Sequence, residues 1–351
     1  MQLNPVDTAQ APSSLPPTSE PQDKKSQSTV VPIPLADPTL GSGLAVLGMY
    51  FHPQTAEEAT TQPPSLTAAF GMGTNNGSYV AGVAQTSYWD ADRWRFSGLA
   101  GFGHLNLDFF GSGAPSASSP VGVRWTVDAA VLQATLYYRI VPNWYLGGQF
   151  RYADVRQTFG VGGADPMTTG PADVRTSGAG ALLERDTRDN KFAPHDGSLL
   201  EFHSLFNRRG LGGDVADNSI NLRYRKYISL RKDLVLATDV HACAKGGDVP
   251  LFDYCFLQLR GYPATRYIGR SMLLGQAELR WHAFGRVGIV AFVGTGAVAD
   301  RFGDITSRNL PVGYGVGVRY MVLEDQRINL RIDVARGSNS QAVYLSVTEA
   351  F

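Results

Sequence analysis

The chain has 351 residues, of which 18% are charged and 39 are glycine. This composition disfavours helices and is common in barrels, so one large β domain fits the length better than two soluble domains. Acidic and basic residues balance at 31 each. The chain therefore lacks the positive field that draws a protein to nucleic acid, and no nucleic-acid partner is expected.

The first 38 residues are rich in proline, serine, threonine and glutamine. Such a composition cannot bury enough apolar surface to fold alone, which predicts a disordered leader over 1–38 and a barrel domain over 39–351. The first five residues do not form a basic segment followed by an apolar core. We therefore interpret the sequence as that of a mature protein.

From Leu40 onward, segments of 10 to 18 residues alternate apolar and polar side chains between clusters of glycine, asparagine, aspartate and proline. The alternation has no exception over 327–334, and over 219–230 only Lys226 interrupts the apolar face. Over 312–320 every second position is glycine or arginine. One face of such strands suits lipid and the other suits water, and the glycines predict a bulky neighbour inside the wall.

Strand length separates the two β architectures that this pattern allows. Strands of soluble sandwiches average about 5 to 6 residues, whereas strands that cross an outer membrane need about 9 to 11. No apolar run reaches the roughly 18 residues of a membrane-spanning helix, so we predict an all-β transmembrane antiparallel barrel. The predicted strands are 41–51, 65–75, 78–89, 93–110, 122–140, 143–159, 173–187, 197–207, 217–230, 233–244, 270–283, 287–299, 311–323, 326–336 and 341–351.

This count is odd, whereas bacterial single-chain barrels have even counts because both termini lie in the periplasm. Either a further strand lies near 27–36 or one long segment is two strands, and we predict sixteen. The leader is then periplasmic. Five predicted strands follow segment 245–269, so this segment opens on the extracellular side.

Cys243 and Cys255 are the only cysteines of the chain. Two cysteines without a neighbouring cluster do not make a standard zinc site. In an oxidising compartment they can close a small loop as a disulfide, and the alternative is a pair of free thiols.

Segment 245–269 contains the run Leu259-Arg260-Gly261-Tyr262, and the next strand contains Glu278. This run resembles the loop-six signature of the BamA/TamA outer-membrane superfamily of bacterial surface antigens, and the likeness covers residues 40–351. The resemblance implies that the loop folds into the barrel lumen with Arg260 at its tip and Glu278 as its partner. A guanidinium in a narrow lumen has to be paired to offset its desolvation, and the alternative is an arginine in a solvated loop.

A second run resembles the periplasmic hairpin that follows the eighth strand in this superfamily. It contains Arg185, Asp186, Arg188 and Asp189, with a glycine before the next strand. Counting strands back from the end of the chain also places this turn in the periplasm.

Two more features are similar to superfamily motifs. Phe292, Gly294 and Gly296 resemble the wall motif of the thirteenth strand, but Gly294 stands where the superfamily has an acidic residue. One expected contact of the loop arginine is therefore missing. The chain ends in Phe351, like the recognition signal of outer-membrane barrels, although Glu349 replaces an expected hydrophobe.

The resemblance implies a bacterial outer-membrane protein that inserts or translocates other proteins, helped by a weakly paired seam between the first and last strands. The leader has no room for a POTRA domain, the usual periplasmic module, so substrate capture would need a periplasmic or membrane partner. The alternative is a narrow plugged pore or a structural barrel without insertase activity. Outer-membrane lipids are expected neighbours, and self-association through the seam stays open.

The histidines do not form a catalytic constellation with the residues around them. His203 and His241 share the inward phase of Glu201 and Asp239, and are expected to be polar lumen residues, while His195 lies in a turn. Neither a GxSxG run nor a metal-ligand spacing accompanies them, and the glycine-rich runs do not precede a helix. We expect neither an enzyme activity nor a cofactor.

Overall fold

The computed structural model describes residues 25–110, 123–160, 173–307, 310–324, 327–338 and 340–351. These residues form one closed antiparallel barrel of sixteen strands, as predicted, and a two-stranded sheet inside it. The strands are β1 Gln27–Asp37, β2 Gly41–Phe51, β3 Leu66–Thr74, β4 Tyr79–Trp89, β5 Trp94–Phe109, β6 Val123–Val141, β7 Trp144–Gly160, β8 Asp173–Asp186, β9 Gly197–Asn207, β10 Asp217–Arg231, β11 Leu234–Gly247, β12 Cys255–Phe256, β13 Ile268–Gly269, β14 Ser271–Phe284, β15 Val287–Ala299, β16 Val312–Leu323, β17 Ile328–Arg336 and β18 Gln341–Val347.

The sixteenth barrel strand is β1, so the predicted boundary between leader and barrel at residue 38 is wrong. All of β1 pairs with β2, from Gln27 opposite Phe51 to Asp37 opposite Gly41. The two prolines of β1 suggested disorder, but an edge strand tolerates proline because one of its sides lacks a continuous ladder. The predicted leader over residues 1–24 lies outside the described residues.

Each strand turns one row of side chains to the outside and the other to the lumen. On β16 the apolar row from Val312 to Val322 is exposed, while the glycines between them face inward. The short helix α1, Ala56–Thr61, lies outside the strands and begins with a capping box between Thr55 and Glu58. In the described part of the chain no helix has the length and apolarity that a membrane span requires.

The barrel closes between β1 and β18, and these two strands have fewer paired residues than any other neighbours in the wall. Only Ala36 and Leu345 are paired across it. We call this junction the seam. After Val347 the chain leaves the wall at Thr348, which has a positive φ of 72°, and turns into the lumen. The predicted last strand, 341–351, is therefore four residues too long.

Candidate functional site in the lumen

The long loop between β11 and β14 enters the lumen instead of standing in solvent. It begins with a helical turn, Leu251–Asp253, and then forms the β12–β13 pair. Leu257 and Ile268 of this loop are fully buried, and Leu259 is 2% exposed. The loop therefore supplies the apolar core of the lumen, which small antiparallel barrels otherwise fill from their own walls.

Arg260, at the tip of the loop, is held by two acidic groups of the wall. Its Nη2 lies 2.6 Å from Oε1 of Glu278 on β14, and its Nη1 lies 3.1 Å from Oδ2 of Asp333 on β17. The guanidinium also lies over the ring of Phe292 on β15, at 3.5 Å from the centroid. Both carboxylates are fully buried. The sequence-predicted residues Arg260, Glu278 and Phe292 thus meet at one point.

Glycines of the wall make the space that the loop occupies. A Cβ at Gly313 would collide with the carbonyl oxygen of Arg260, and a Cβ at Gly294 would lie 2.9 Å from Cδ1 of Leu259. A Cβ at Gly296 would lie 2.5 Å from Cδ1 of Leu257. Because the clash at Gly313 is with backbone, this position requires glycine as long as the loop is docked, whereas at Gly294 and Gly296 the leucine side chains of the loop would have to shift.

The residues after Arg260 tie the tip to the last strands of the barrel. Gly261 has a φ of 99°, a left-handed conformation that suits glycine, and its N–H donates to the hydroxyl of Tyr344 at 3.0 Å. The hydroxyl of Tyr262 donates to the carbonyl of Val312 at 3.1 Å and accepts from the N–H of Ser338 at 2.7 Å. The tip therefore binds β16 and β18 as well as β14 and β17.

Sequence reasoning missed part of the network around Arg260. The superfamily has an acidic residue at the position of Gly294. In this chain Asp333 of β17, outside the predicted wall motif, supplies the second carboxylate to Arg260. Arg319 donates to Asp333 at 2.5 Å, and Arg280 donates to Glu278 at 2.8 Å. The regular alternation over 327–334 already placed Asp333 on a polar face, but only the register shows which loop residue it meets.

The stem of the loop is fixed to β11, the neighbour of β14, and to β7 across the lumen. Cys255 forms a disulfide with Cys243 of β11. Asp253 accepts a 2.9 Å hydrogen bond from Arg151 of β7 and lies 3.0 Å from Nζ of Lys245 on β11. These contacts and those of the tip anchor the loop at both walls, so it spans the lumen.

Aromatic stacking adds to the anchoring of the stem. The ring of Phe256 is parallel to that of Trp125 on β6, with centroids 6.5 Å apart, and Trp125 stacks in turn on Phe159 of β7 at 6.0 Å. Trp125 is 1% exposed. Such offset stacks contribute about 0.5–1.5 kcal/mol each beyond the burial of their area.

The last four residues, 348–351, lie inside the barrel, and we call them the tail. Phe351 packs on Tyr227 of β10 and Ala237 of β11, and its backbone oxygen accepts a 2.7 Å hydrogen bond from Arg280. Glu349 accepts from Arg319 at 2.7 Å and from Asn329 at 2.8 Å. The tail thus occupies the lumen at the end where β1 begins and β18 ends, which we call the periplasmic end.

The hairpin between β8 and β9 is ordered by its own acidic side chains. Asp186 accepts two hydrogen bonds from the guanidinium of Arg188, at 3.0 and 2.9 Å. Asp189 accepts from the backbone N–H of His195 at 2.8 Å and of Asp196 at 3.1 Å. Arg185 points away from the lumen, with its guanidinium 5.7 Å from the ring centroid of Trp144.

This hairpin extends across the periplasmic end of the barrel. Asp189 receives a 2.6 Å hydrogen bond from Arg327, which precedes β17, while Nζ of Lys191 lies 5.4 Å from the ring of Tyr88 on β4. Burial raises the pKa of Asp189, but the backbone donors and Arg327 lower it more, so its pKa is below the ordinary value. The hairpin is therefore tied to distant strands on both sides of the opening.

Within the described residues, no hydrogen bond joins His195, His203 and His241 to one another. His203 has only a long 3.5 Å contact to the hydroxyl of Tyr137, and His241 lies on β11 beside Asp239. The carbonyl of His195 accepts from Ser229 at 3.0 Å in the periplasmic hairpin. Within the described ranges, no three His, Cys, Asp or Glu side chains are placed to hold a metal ion together.

The fold and the lumen define a class: a sixteen-stranded membrane-type barrel with an arginine-tipped loop docked inside it. The Omp85 superfamily domain matches residues 64–322, and the chain belongs to this superfamily. No curated protein matches the sequence.

Solved structures share the fold at low sequence identity. BamA from Haemophilus ducreyi, in a form lacking POTRA domains 1–3, is 13% identical with a TM-score of 0.59, and the match covers 92% of this chain and 69% of that one. CdiB from Acinetobacter baumannii is 12% identical with a TM-score of 0.57, covering 92% and 59%. CdiB from Escherichia coli is 9% identical with a TM-score of 0.62, covering 92% and 62%. The chain thus spans about 60% of the two CdiB chains.

Proposed function

We propose that this protein resides in the bacterial outer membrane and inserts or translocates other proteins by opening sideways at the seam. The observation that carries the proposal is the contrast between the two sides of β1. One side pairs with β2 along its whole length, whereas the other pairs with β18 only at Ala36 and Leu345. A strand edge with so few partners can separate or pair with an incoming strand at little cost.

The proposal includes a partner protein. The described residues form the barrel and its lumen contents, and none of them forms a separate domain that could capture a substrate in the periplasm. Capture then falls to a periplasmic or membrane partner, or to residues outside those described. We place such a partner at the periplasmic end, where the β8–β9 hairpin presents Phe192, which is 43% exposed. The role is a binding role and not a catalytic one.

A second candidate function is a plugged barrel without insertase activity. The observation that favours it is the double anchoring of the loop, at its tip through Arg260 and at its stem through the disulfide. A lumen crossed in this way passes few solutes as long as both anchors hold. This candidate and the first differ in whether the seam opens.

A disulfide engineered across the seam, which we call the seam lock, tests the first candidate. The double variant Ala36→Cys with Leu345→Cys joins directly opposite residues of the seam, whose Cβ atoms are expected about 4.5–5.5 Å apart. The purified protein is placed in liposomes, and the rate at which a client barrel folds is measured with the lock oxidised and reduced. Ala45→Cys with Ile33→Cys, an opposite pair in the β1–β2 ladder, is the matched control.

The outcomes separate the two candidates. Faster client folding with the wild type, lost on oxidation of the seam lock and kept by the control, supports lateral opening. A wild type that does not accelerate folding, together with ion conductance that appears only when residues 248–269 are deleted, supports the plugged barrel.

A further inference from the structure

The lumen has two unlike sides, and one of them is apolar. On β1–β4 most residues that face inward are apolar or small; the exceptions are Gln27 and Tyr88 at the periplasmic end and Asp37, the only charged one, at the extracellular end. Val31, Leu47 and Phe70 lie side by side in one row across β1, β2 and β3. We call the inward-facing side chains of β1–β4 the apolar wall.

The side of the lumen formed by β10, β11 and β14–β17 is polar, and the apolar side chains that face inward on β5–β7 are covered by the loop. The ion pairs around Arg260 come from β14–β17, and a further pair joins Arg223 of β10 to Asp239 of β11 at 2.7 Å. A polar interior is the ordinary state of a membrane barrel, because its lumen is in contact with water. The apolar wall departs from that state over four neighbouring strands.

The loop and the tail leave this wall largely uncovered. None of the four clusters of buried apolar side chains found in the described residues contains a residue of β1–β4. Val31, Leu47 and Phe70 are only half-buried. The loop reaches this side at the extracellular end, where the N–H of Ala264 donates to Thr39 at 2.7 Å. A contiguous exposed apolar surface often marks an interaction site.

The seam gives this wall an opening toward the membrane. Because Ala36 lies opposite Leu345, antiparallel counting places Val347, the last residue of β18, near Pro34. The first seven residues of β1, 27–33, therefore extend past the end of β18 toward the periplasm, and the tail has turned away from them into the lumen. Val30, on the outer face of this segment, is 69% exposed. The lipid-facing surface thus continues around a free strand edge onto the apolar wall.

We propose that the apolar wall binds the acyl chain of a membrane phospholipid that enters past this free edge, with the lipid headgroup left at the periplasmic end. Apart from Asp37 at its extracellular end the wall carries no charge, and between β1 and β4 the N–H and C=O groups of its strands are engaged in the ladders. A hydrocarbon chain has no hydrogen-bonding groups, so an apolar surface is sufficient to bind it. An extended peptide can pair with the free edge of β1, but on the face of the wall its backbone donors and acceptors would find no partners, and leaving such groups unpaired is unfavourable.

The proposal is tested by contact crosslinking at neighbouring positions of β2. Leu47→Cys, labelled with a benzophenone maleimide, places the probe on the apolar wall, while the native cysteines are held in their disulfide. Val46→Cys places the same probe on the lipid-facing side and is the positive control. Gln149→Cys on β7 faces the lumen on the polar side and is the negative control. The vesicles contain phosphatidylethanolamine and phosphatidylglycerol with radiolabelled acyl chains.

We expect the yield of lipid adduct at position 47 to be close to that at position 46 and several-fold above that at position 149. A yield at position 47 no higher than that at position 149 overturns the proposal, and so does an adduct at position 47 that joins two copies of this chain in place of lipid. The proposal does not depend on insertase activity, because the experiment contains no client protein.

A charge on the wall provides a second measurement. Adding Ile33→Glu to the labelled Leu47→Cys protein should remove most of the lipid adduct, because the acyl chain would then have to contact a carboxylate. Ile33→Leu is the matched control and should leave the yield unchanged. Heat-modifiable gel mobility shows that each variant is a folded barrel. Equal yields from the two variants contradict the proposed site.

Discussion

Arg319 of β16 binds Glu349 of the tail, with 2.7 Å between Nε and Oε2. The same guanidinium binds Asp333, which in turn accepts a hydrogen bond from Arg260 at the tip of the loop. The loop from the extracellular end and the tail from the periplasmic end therefore share one buried network. A substitution in the tail is therefore expected to weaken the docking of the loop tip, and a substitution in the tip to weaken the docking of the tail.

The first prediction concerns the tail. Glu349→Ala leaves Arg319 buried with one partner fewer, and breaking a buried pair on one side typically costs about 3–5 kcal/mol. We expect the free energy of unfolding in detergent to fall by about 3 kcal/mol, measured by urea titration. Glu324→Ala removes the exposed partner of Arg286 and should cost at most about 1 kcal/mol. Equal losses in the two variants would show that the tail is not held by this pair.

The second prediction concerns the tip of the loop. Arg260→Ala leaves Glu278 with Arg280 alone and removes the contact with Phe292, so we expect a lower temperature for the heat-modifiable gel shift and an increased ion conductance. Arg260→Lys keeps the charge but loses the planar fork, and should lie between wild type and Arg260→Ala. An Arg260→Ala barrel with wild-type mobility and conductance would exclude a role for this residue in holding the loop.

The third prediction concerns the glycines of the wall. Gly313→Ala places a methyl group against the carbonyl of Arg260, and such overpacking typically costs about 1–3 kcal/mol. Gly73→Ala on β3 meets open space and should be close to neutral. Urea titration of both variants measures the difference. If the loop were free to leave the lumen, both substitutions would have equally small effects.

The fourth prediction concerns the disulfide. Cys243 and Cys255 are both 3% exposed and bonded to each other, so a maleimide should add no mass to the protein until a reductant is present. Cys243→Ser with Cys255→Ser should lose about 3 kcal/mol of stability, the amount expected for a closed loop of this length. Full labelling without reductant would show that the thiols are free.

The fifth prediction is a pH dependence of the periplasmic hairpin. The pKa of Asp189 is lowered in the folded protein. Its contacts therefore stabilise the hairpin fully at a pH above the ordinary aspartate pKa of about 4, and this stabilisation is lost as the pH falls through the lower pKa of the folded state. Amide exchange protection at His195 and Asp196 should therefore drop on acidification below about pH 4. Asp189→Asn should show weaker protection with little dependence on pH. A variant with the wild-type profile would assign the transition to another group.

Much of the barrel could be predicted because one physical requirement shapes every strand. A strand between lipid and a lumen alternates its side chains and has to be long, and both properties are visible in the sequence without knowing its neighbours. β1 was one of the two alternatives for the sixteenth strand, but Pro32 and Pro34 made its segment resemble a disordered leader, so the predicted barrel boundary was placed too late, at residue 38. The end of β18 could not be predicted, because the turn at Thr348 depends on the contacts that Glu349 and Phe351 make inside the lumen.

The site was predictable where a short motif supplied both the residue and its environment, as with Arg260 and Glu278. Asp333 was not, since its pairing depends on a register between β16 and β17 that sets it beside a loop 73 residues away in the chain. The role of Phe351 as a recognition signal stays a prediction. The structure places its side chain in the lumen, against Tyr227.

The prolines of β1 have a further consequence for how long anything stays at the seam. Their pairing with β2 is unbroken, so Pro32 and Pro34 occupy positions whose missing N–H would point away from β2, toward the seam. A strand that added to this edge would find two donors absent within three residues. If the seam admits an incoming strand as proposed, that strand would therefore be held by fewer main-chain hydrogen bonds and would dissociate faster than from an edge without proline.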